Sequence, residues 1–327
     1  LYKALYAIDK MMTIHWGILS TAHINRRVIP AIQQSNSGLL MGVASRDILK
    51  AEAYATTWNI PKAYSSYEAL LADPAIQVIY ISLPNHLHAE WIIKSLEAGK
   101  QVLCEKPICL SLQEMETIET ACNRTGNFVM EGFMHLHHPQ THLWKSILDS
   151  GALGDIHSLR STFSFNLERP ADNYRWHAAA GGGALWDVGV YPISLFQYLL
   201  DESPVSVMAS MYEVNGIDQF TSAQLTFSGG RTGQFFVSFR SSFSTDTIIH
   251  GSAGQLHISH PFTNPDACRA SIVRGNTTEH LDVPRQYLYS GEVEAMHDYI
   301  LTGKVPVVTT SFSRKVLEII IKLKSGG

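Results

Sequence analysis

The spacing of apolar residues changes near the middle of this 327-residue chain, and that change constrains the fold more than any other feature. Up to about Phe133, short apolar runs alternate with segments whose apolar residues recur at helical spacing. The predicted strands are Ile14–Leu19, Leu39–Ala44, Val78–Leu83, Val102–Cys104 and Phe128–Met130. Predicted helices run through Val28, Ile29 and Ile32 and over 47–58, 88–98 and 112–123. Strands alternating with helices predict a doubly wound parallel α/β sheet.

The second half of the chain changes to two-residue alternation after a predicted helix at Pro139–Asp149. The alternating segments are Ile156–Leu167, Val205–Glu213, Gln219–Phe227 and Gly233–Arg240. Such segments predict antiparallel strands with one covered face. Further helices are predicted near Trp186–Leu200, Gly291–Leu301 and Ser311–Lys322. We therefore expect an N-terminal domain at 12–133 and, at 134–327, an α+β domain with a large, mostly antiparallel open sheet.

An open sheet of that size needs cover on its second face. Either helices or another subunit must supply this cover, so we expect a homodimer or a higher homo-oligomer that associates through the C-terminal sheet.

Composition narrows the class of partner. A net charge of −4 without a basic patch argues against nucleic acid and favours a small molecule. The four cysteines form no CxxC pair and indicate a reducing compartment. No segment has the length and apolarity of a signal peptide or a membrane span, so we expect a cytoplasmic protein and no membrane partner. Met12 is a candidate start, with the preceding stretch as an extension.

The turn after the first predicted strand has the position of a dinucleotide-binding turn, where helix N-terminal amides receive a pyrophosphate. Ser20, Ala22 and Asn25 stand in its three glycine places. Small side chains still allow close backbone approach, and Thr21 adds a hydroxyl group. The predicted cofactor contacts here are Gly17, Ser20, Thr21, Ala22, His23 and Ile24. The alternative is an ordinary strand-to-helix turn.

The end of the second predicted strand bears on the choice between NADP and NAD. Ser45 and Arg46 occupy the place where an acidic residue would bind a ribose 2′-hydroxyl. A guanidinium and a hydroxyl group there suit a 2′-phosphate, so NADP(H) is favoured over NAD(H). Alternatively, Asp47 caps the next helix and Arg46 is only solvated.

The end of the fourth predicted strand lies at the carboxyl edge, where open α/β sheets bind their ligands. We expect Pro84, Asn85 and His88 near the nicotinamide ribose, and Ser82 as a further cofactor contact. A helix-starting turn capped by Asn85 is compatible with this assignment.

Three further residues suggest proton transfer. Lys106 follows a predicted buried strand, and Asp187 and Tyr191 lie one helical turn apart after three glycines at 181–183. A nearby positive charge stabilises the phenolate form of a tyrosine, whose ordinary pKa is about 10. Lys106 as a structural cation paired with Glu105 or Asp187 is the alternative.

Together these segments resemble the glucose-fructose oxidoreductase, inositol dehydrogenase and MocA (Gfo/Idh/MocA) family over nearly the whole chain. The motifs that carry the resemblance are 16–22, 44–47, 83–88, Glu105-Lys106-Pro107 and 181–191. The Ser-Thr-Ala turn and Tyr191 are most similar to the branch with dimeric dihydrodiol dehydrogenase and pyranose and xylose dehydrogenases. Many other members have histidine in place of Tyr191.

The resemblance implies a Rossmann domain, a C-terminal sheet domain used for oligomerisation, and a substrate cleft between them. Lys106 and Tyr191 would be catalytic, Asp187 would contact or orient the substrate, and Glu105 and Lys106 would also contact the cofactor. The implied substrate contacts are His138, Asn173, Arg175, Trp176 and Asp187. For Arg175, a substrate carboxylate, a cofactor phosphate or an interdomain salt bridge all remain open.

Two departures concern the segment from Met130 to Gln140. Relatives commonly have tyrosine and arginine where this chain has His135 and Leu136. The loss of a phenol and a cation leaves the substrate open. His138 and His142 have metal-ligand spacing, but Glu131 lies on a predicted strand, so no metal is expected.

The expected function is an NADP-dependent oxidoreductase. It would transfer hydride between nicotinamide and a secondary alcohol or ketone of a sugar, polyol or trans-dihydrodiol. A ketoreductase acting on nucleotide-linked sugars and a non-catalytic NADP(H)-binding sensor or scaffold are the alternatives.

Overall fold

The computed structural model describes residues 13–168, 173–263 and 265–326. The chain divides into two compact units, each built from several segments. Of the described residues, the first contains those within 13–108, 113–132 and 289–310, and the second contains those within 109–112, 133–288 and 311–326. The first unit therefore includes a late segment that the predicted boundary at 133 leaves in the second domain.

The first unit is built on a six-stranded sheet in the order β3-β2-β1-β4-β5-β6, in which every pair is parallel. The strands are β1 Ile14–Leu19, β2 Gly38–Ala44, β3 Lys62–Tyr64, β4 Val78–Ile81, β5 Gln101–Cys104 and β6 Val129–Glu131. This strand order is that of the dinucleotide-binding Rossmann fold. The predicted doubly wound sheet is confirmed, with β3 as a strand that was not predicted.

Helices flank the sheet of the first unit. They are α1 Asn25–Gln34, α2 Ile48–Trp58, α3 Tyr67–Leu71, α4 His88–Glu97 and α5 Leu112–Thr125. Helix α1 buries Val28, Ile29 and Ile32, the residues whose spacing predicted it. The Asp47 carboxylate caps α2, accepting hydrogen bonds from the amides of Leu49 and Lys50 at 3.0 and 3.3 Å.

The second unit is built on an eight-stranded sheet in the order β14-β13-β12-β11-β7-β10-β9-β8. Its strands are β7 Ile156–Asn166, β8 Ser206–Val214, β9 Ile217–Thr226, β10 Thr232–Ser238, β11 Arg240–Gly251, β12 Gln255–Ser259, β13 Arg269–Arg274 and β14 Thr277–Leu281. Only the β7–β10 pair is parallel among the described pairings, and the others are antiparallel. The mostly antiparallel sheet is confirmed, whereas the four strands from β11 onward were not predicted.

The remaining helices are α6 Pro139–Asp149, α7 Val190–Leu200, α8 Ser290–Thr302 and α9 Thr310–Lys324. Helix α7 is preceded by one π-helical segment, Leu185–Gly189. It covers one face of the eight-stranded sheet, where Phe196 packs so closely that a Cβ on Gly233 would lie 2.7 Å from its ring.

Helix α8 belongs to the first unit because its side chains pack on that unit's sheet. The Trp16 indole on β1 donates a hydrogen bond to His297 Nε2 at 2.9 Å, and the rings of Phe128 and Tyr299 are 4.4 Å apart. The Trp16–His297 contact joins β1 to a helix that lies more than 270 residues later in the sequence.

The other face of the eight-stranded sheet carries exposed apolar side chains. Met208 is 68% exposed, and the Tyr212 ring stacks on Phe220 at 5.0 Å. Arg160, Thr162, Ser222, Gln234, Phe236 and Asp246 are among the residues that line a shallow groove of about 580 Å³ on this face. This surface is called the open face below.

Among the described residues, no helix combines the length and the apolar character needed to cross a membrane. All four cysteines are free thiols, and three of them are buried.

Candidate active site

The turn after β1 contains a backbone conformation typical of glycine, although no glycine stands in it. Ser20 has φ of 97°, a conformation that favours glycine. Its amide donates to Ala44 O at 3.0 Å, and its carbonyl accepts from Asn25 Nδ2 at 2.9 Å. The buried Asn25 side chain thereby ties the start of α1 to the turn. These hydrogen bonds stabilise the backbone conformation that a glycine would adopt at no cost.

Two of the predicted cofactor-binding turns meet in the first unit. Ser20 Oγ lies 3.0 Å from Ser82 Oγ, which is also within 3.3 Å of Leu19 O. The ends of β1 and β4 are therefore joined by hydroxyl groups at the carboxyl edge of the sheet. Gly17 is explained by packing, because a Cβ there would lie 2.7 Å from the Leu70 side chain.

The N-terminus of α1 suits a phosphate group. Ile24 occupies the capping position and offers no side-chain acceptor to the first amides of the helix. Amides at this position, with the positive end of the helix dipole, bind anions. Thr21 and Ala22 are half-buried and His23 is exposed at this turn. The residues present fit a dinucleotide pyrophosphate.

The end of β2 presents a guanidinium group. Arg46 is exposed there, and its hydrogen bond to Tyr67 opposes the rise that burial causes in the pKa of that phenol. The Ser45 hydroxyl accepts a hydrogen bond from the amide of Asp47 at 3.2 Å. Asp47 caps α2, as the alternative reading expected, while the position of Arg46 still fits a 2′-phosphate.

His88 links the loops that follow β4 and β5. It is fully buried, with Nδ1 at 2.7 Å from Pro107 O and Nε2 at 2.7 Å from Leu83 O. Burial is the main cause that lowers the pKa of His88, and the two carbonyl groups act in the opposite direction. Both ring nitrogens thus face backbone carbonyls, which places His88 between the two loops and directs neither nitrogen to a ribose.

Glu105 and Lys106 follow β5 in the first unit. The Tyr80 hydroxyl donates to Glu105 Oε1 at 2.6 Å. Near this pair lies the fully buried Glu292 of α8, whose pKa is raised by burial and by the charge of Glu105. Lys106 itself is half-buried and its peptide bond to Pro107 is cis. Tyr80 therefore orients the Glu105 carboxylate, and the sequence patterns did not predict this contact.

The glycine-rich turn in the second unit has a steric explanation. A Cβ on Gly182 would lie 2.6 Å from Arg175 O, and a Cβ on Gly183 would lie 2.0 Å from Asp218 Oδ1. Gly183 also has φ of 119°, which other residues rarely adopt. The turn is therefore packed against its own unit, and this packing places the π-helical segment that carries Asp187.

Asp187 forms an ion pair within the second unit. Arg175 Nε donates to Asp187 Oδ2 at 2.8 Å, with the arginine side chain 33% and the aspartate side chain 8% exposed. The carboxylate is the largest cause that raises the pKa of Arg175. The interdomain salt bridge considered for Arg175 is wrong, because its partner lies in the same unit. Trp176 Nε1 donates to Glu168 O at 3.0 Å, and its ring meets Phe239.

Tyr191 lies at the start of α7 among aromatic rings. Its ring centroid is 5.2 Å from those of His135 and Phe163 and 5.5 Å from that of Phe262. Ser194 Oγ donates to Tyr191 O and lies 3.2 Å from His135 Nε2. The sequence had marked His135 only as a departure from relatives, and the structure places it against the predicted catalytic tyrosine.

The other histidines of this segment have structural partners. His138 caps α6, with Nδ1 accepting from Gln140 N at 3.1 Å and Nε2 lying 3.0 Å from Gln286 O. His142 Nε2 is 3.1 Å from Leu136 O. Burial lowers the pKa of His137 to about 3. His138 was predicted to contact substrate, but both of its nitrogens serve the helix cap and a loop carbonyl. Among the described residues, no group of three or more His, Cys, Asp or Glu has metal-binding geometry.

Comparison with protein-family models gives two matches. Residues 14–133 match the oxidoreductase family with an NAD-binding Rossmann fold, GFO_IDH_MocA, and residues 142–257 match the GFO/IDH/MocA C-terminal domain. The first region contains the ends of β1, β2 and β4, and the second contains Tyr191 and its helix.

Individual relatives cover most of the chain. A D-xylose 1-dehydrogenase (NADP⁺) of Haloferax volcanii is 36% identical over 93% of this chain and 94% of its own. A trans-1,2-dihydrobenzene-1,2-diol dehydrogenase of Macaca fuscata fuscata is 31% identical over 84% and 81% of the two chains.

The solved structures that are similar include a 3-ketoreductase, KijD10, of Actinomadura kijaniata in complex with NADP and TDP-benzene. It has a TM-score of 0.88 and 29% identity over 96% of this chain and 98% of its own. The matched family models, the identity to these relatives and the shared architecture together establish that the chain belongs to the Gfo/Idh/MocA family of oxidoreductases.

Proposed function

We propose that this protein is an NADP-dependent oxidoreductase. It transfers hydride between nicotinamide and a carbon that bears a secondary hydroxyl or carbonyl group of a sugar, a polyol or a trans-dihydrodiol. One observation carries the proposal: Tyr191 follows Asp187 on a helical stretch that glycine-rich packing holds in place, and Asp187 is paired with the partly exposed Arg175. A phenol, a carboxylate and a cation are the groups that proton transfer at a hydroxyl requires.

NADP(H) would be held by the carboxyl edge of the first unit. The α1 N-terminus and the Ser20 turn would take the pyrophosphate, and Arg46 with Ser45 would take the 2′-phosphate. Ser82, Pro84 and Asn85 would flank the nicotinamide ribose. His88 would support these contacts indirectly, because it joins the loops after β4 and β5. Bound NADP(H) supplies or accepts the hydride.

Proton transfer is assigned to Tyr191, which accepts the hydroxyl proton during oxidation and donates one during reduction. Lys106 favours the phenolate form by its charge and stabilises the reacting oxygen. Lys106 as the acid or base itself is the close variant. Arg175 orients the Asp187 carboxylate, which accepts hydrogen bonds from substrate hydroxyls.

Substrate class within this proposal rests on similarity. The D-xylose and dihydrodiol dehydrogenases that resemble this chain support small polyhydroxylated substrates. The KijD10 complex with TDP-benzene supports a second candidate, a ketoreductase acting on nucleotide-linked sugars. Arg175 is part of an internal pair, so this second candidate assigns it no contact with the diphosphate.

Domain roles follow the same proposal. Residues 12–133 would bind the cofactor, and 134–327 would bind substrate and carry the contact between subunits. The open face of the eight-stranded sheet, with exposed Met208 and stacked Tyr212 and Phe220, would be covered by a second copy.

Nicotinamide absorbance tests the proposal directly. Wild-type protein is assayed with NADP⁺ and NAD⁺ against D-xylose, other aldoses, inositols and trans-dihydrodiols, and with NADPH against TDP-linked ketosugars. We expect turnover with at least one panel and a preference for the phosphorylated cofactor. NADPH binding without turnover on any of these compounds would favour the sensor or scaffold reading instead.

A further inference from the structure

The helix that carries Asp187 and Tyr191 has an anchor outside its own segment. Leu185 N, the first amide of the π-helical segment, donates to Asp218 Oδ2 at 2.7 Å. The same oxygen accepts from Thr221 Oγ1 at 3.0 Å. Ala184 precedes this segment and provides no side-chain cap. The Asp218 carboxylate on strand β9 therefore caps the N-terminus of this helical segment. A negative charge at that end also interacts favourably with the helix dipole.

The glycine-rich turn is shaped to receive this carboxylate. Gly183 approaches Asp218 Oδ1 so closely that any side chain would collide with it, and its φ of 119° excludes other residues independently. Asp218 is 0% exposed, so its charge is removed from water. A buried carboxylate is stable only with hydrogen bonds and a nearby positive charge.

Lys324, near the end of α9, supplies the positive charge. Its Nζ lies 3.7 Å from Asp218 Oδ1 and 3.9 Å from Glu213 Oε1, and the lysine side chain is 27% exposed. Burial raises the pKa of Asp218, and Lys324 lowers it. The Glu213 side chain is 47% exposed. All of these groups belong to the second unit.

We propose that Asp218 is a positioning residue for the reaction, and that Lys324 keeps it ionised so that the helix bearing Asp187 and Tyr191 starts in the right place. The inference rests on the proposed function for the roles of Asp187 and Tyr191. It gives Lys324 a role in positioning Tyr191, although Lys324 lies more than 130 residues later in the sequence.

The anchor has a readout that needs no substrate. The amide proton of Leu185 is followed by NMR between pH 4 and 9, because an amide that donates to a carboxylate shifts when the carboxylate titrates. In Lys324→Met the midpoint of this titration should rise by about one to three pH units, the effect of losing a nearby opposite charge. Lys324→Arg should restore the wild-type midpoint, and Glu213→Gln, the matched control, should leave it unchanged.

Turnover adds the functional half of the test, with D-xylose and NADP⁺ as probes. Lys324→Met should lose at least about ten-fold in kcat at pH 6, recover at pH 9, and keep the wild-type KM for NADP⁺, because the cofactor edge belongs to the first unit. A purely structural role would lower the melting temperature and leave the pH profile of kcat in place.

Each result has a defined meaning. An unchanged Leu185 midpoint in folded Lys324→Met would overturn the anchor. A shifted midpoint with an unshifted kcat profile would remove its positioning role. If the wild type turns over neither D-xylose nor any other compound of the panel, the proposed substrate class fails, while the Leu185 titration still decides whether Lys324 controls Asp218. Should Lys324→Met fail to fold, Asp218→Asn provides the comparison, since it should abolish the Leu185 titration.

Discussion

Arg175 Nε donates to Asp187 Oδ2 at 2.8 Å, and this contact joins the segment before the glycine-rich turn to the helix after it. Asp187 is nearly buried, so the arginine supplies the charge that lets it remain a carboxylate. The pair makes Asp187 an oriented acceptor close to Tyr191 in sequence and on the same helical stretch. Arg175 therefore pairs with a residue of its own unit.

Breaking this pair should reduce catalysis more than stability. We expect Arg175→Met to lower kcat/KM for D-xylose and NADP⁺ by about ten- to a hundred-fold, because Asp187 loses its orienting charge-assisted bond, worth about 1.5–3 kcal/mol. Steady-state kinetics measures the loss. Arg231→Met is the matched control, since Arg231 pairs with Glu202 at the same 2.8 Å and the two arginine side chains are similarly exposed. Equal losses in both variants would contradict the special role of Arg175.

Cofactor selectivity should depend on Arg46. Arg46→Ala should weaken NADPH binding by about ten- to a hundred-fold, the loss of one or two charge-assisted bonds to a phosphate. Binding of NADH should change little, because NADH lacks that phosphate. Fluorescence titration of both nucleotides gives the ratio. Lys50→Ala, an exposed cation in the first turn of α2, serves as the control, and a fall in NADH affinity equal to that for NADPH would refute the assignment.

His297 should make the stability of the first unit sensitive to acid. Trp16 Nε1 is a donor, so His297 Nε2 must accept and Nδ1 carries the proton towards Ser35 Oγ at 3.2 Å. Burial lowers the pKa of His297, although Glu294 acts in the opposite direction. The neutral form is therefore favoured by folding. Its contribution is complete above the ordinary histidine pKa of about 6.5 and declines as the pH falls below it.

Unfolding measurements against pH test that sign. The free energy of unfolding should fall between pH 7 and pH 5 in the wild type and fall less steeply in His297→Gln, whose amide oxygen still accepts from Trp16 but does not titrate. His157→Gln changes an exposed histidine and should keep the wild-type slope. A steeper decline in His297→Gln than in the wild type would show that the charged form is the one stabilised by folding.

Sequence patterns predicted the first unit well because each of its central strands is a buried apolar run between helices. The exception is β3, which has three partly exposed residues and too short a run to stand out. In the second unit, β14 is almost fully exposed and β11 begins with Arg240 and serines, so no alternation marks them. The Gly275-Asn276 pair between β13 and β14 is a hairpin signal that would have indicated the last two strands.

Sequence patterns likewise predicted one part of the candidate site and not the other. Lys106, Asp187 and Tyr191 lie in local motifs, and their positions at a strand end and at a helix start followed from the residues around them. Asp218, Lys324 and His135 were not assigned a role because each acts through a contact between segments far apart in sequence. The assignments of His88 and His138 as ligand contacts did not anticipate that each ring bridges backbone groups.

The pH–rate profile of Tyr191→Phe tests the central claim most directly. In the oxidation assay with NADP⁺, loss of the phenol that accepts the proton should lower kcat by about 10²–10⁴-fold and remove the acidic limb of the wild-type profile. Tyr198→Phe, on the same helix, is the control and should retain wild-type kcat. Lys106→Met should lower kcat while the acidic limb remains, shifted to higher pH. Near-normal activity in Tyr191→Phe, with the limb lost only in Lys106→Met, would contradict the account and make Lys106 the acid and base.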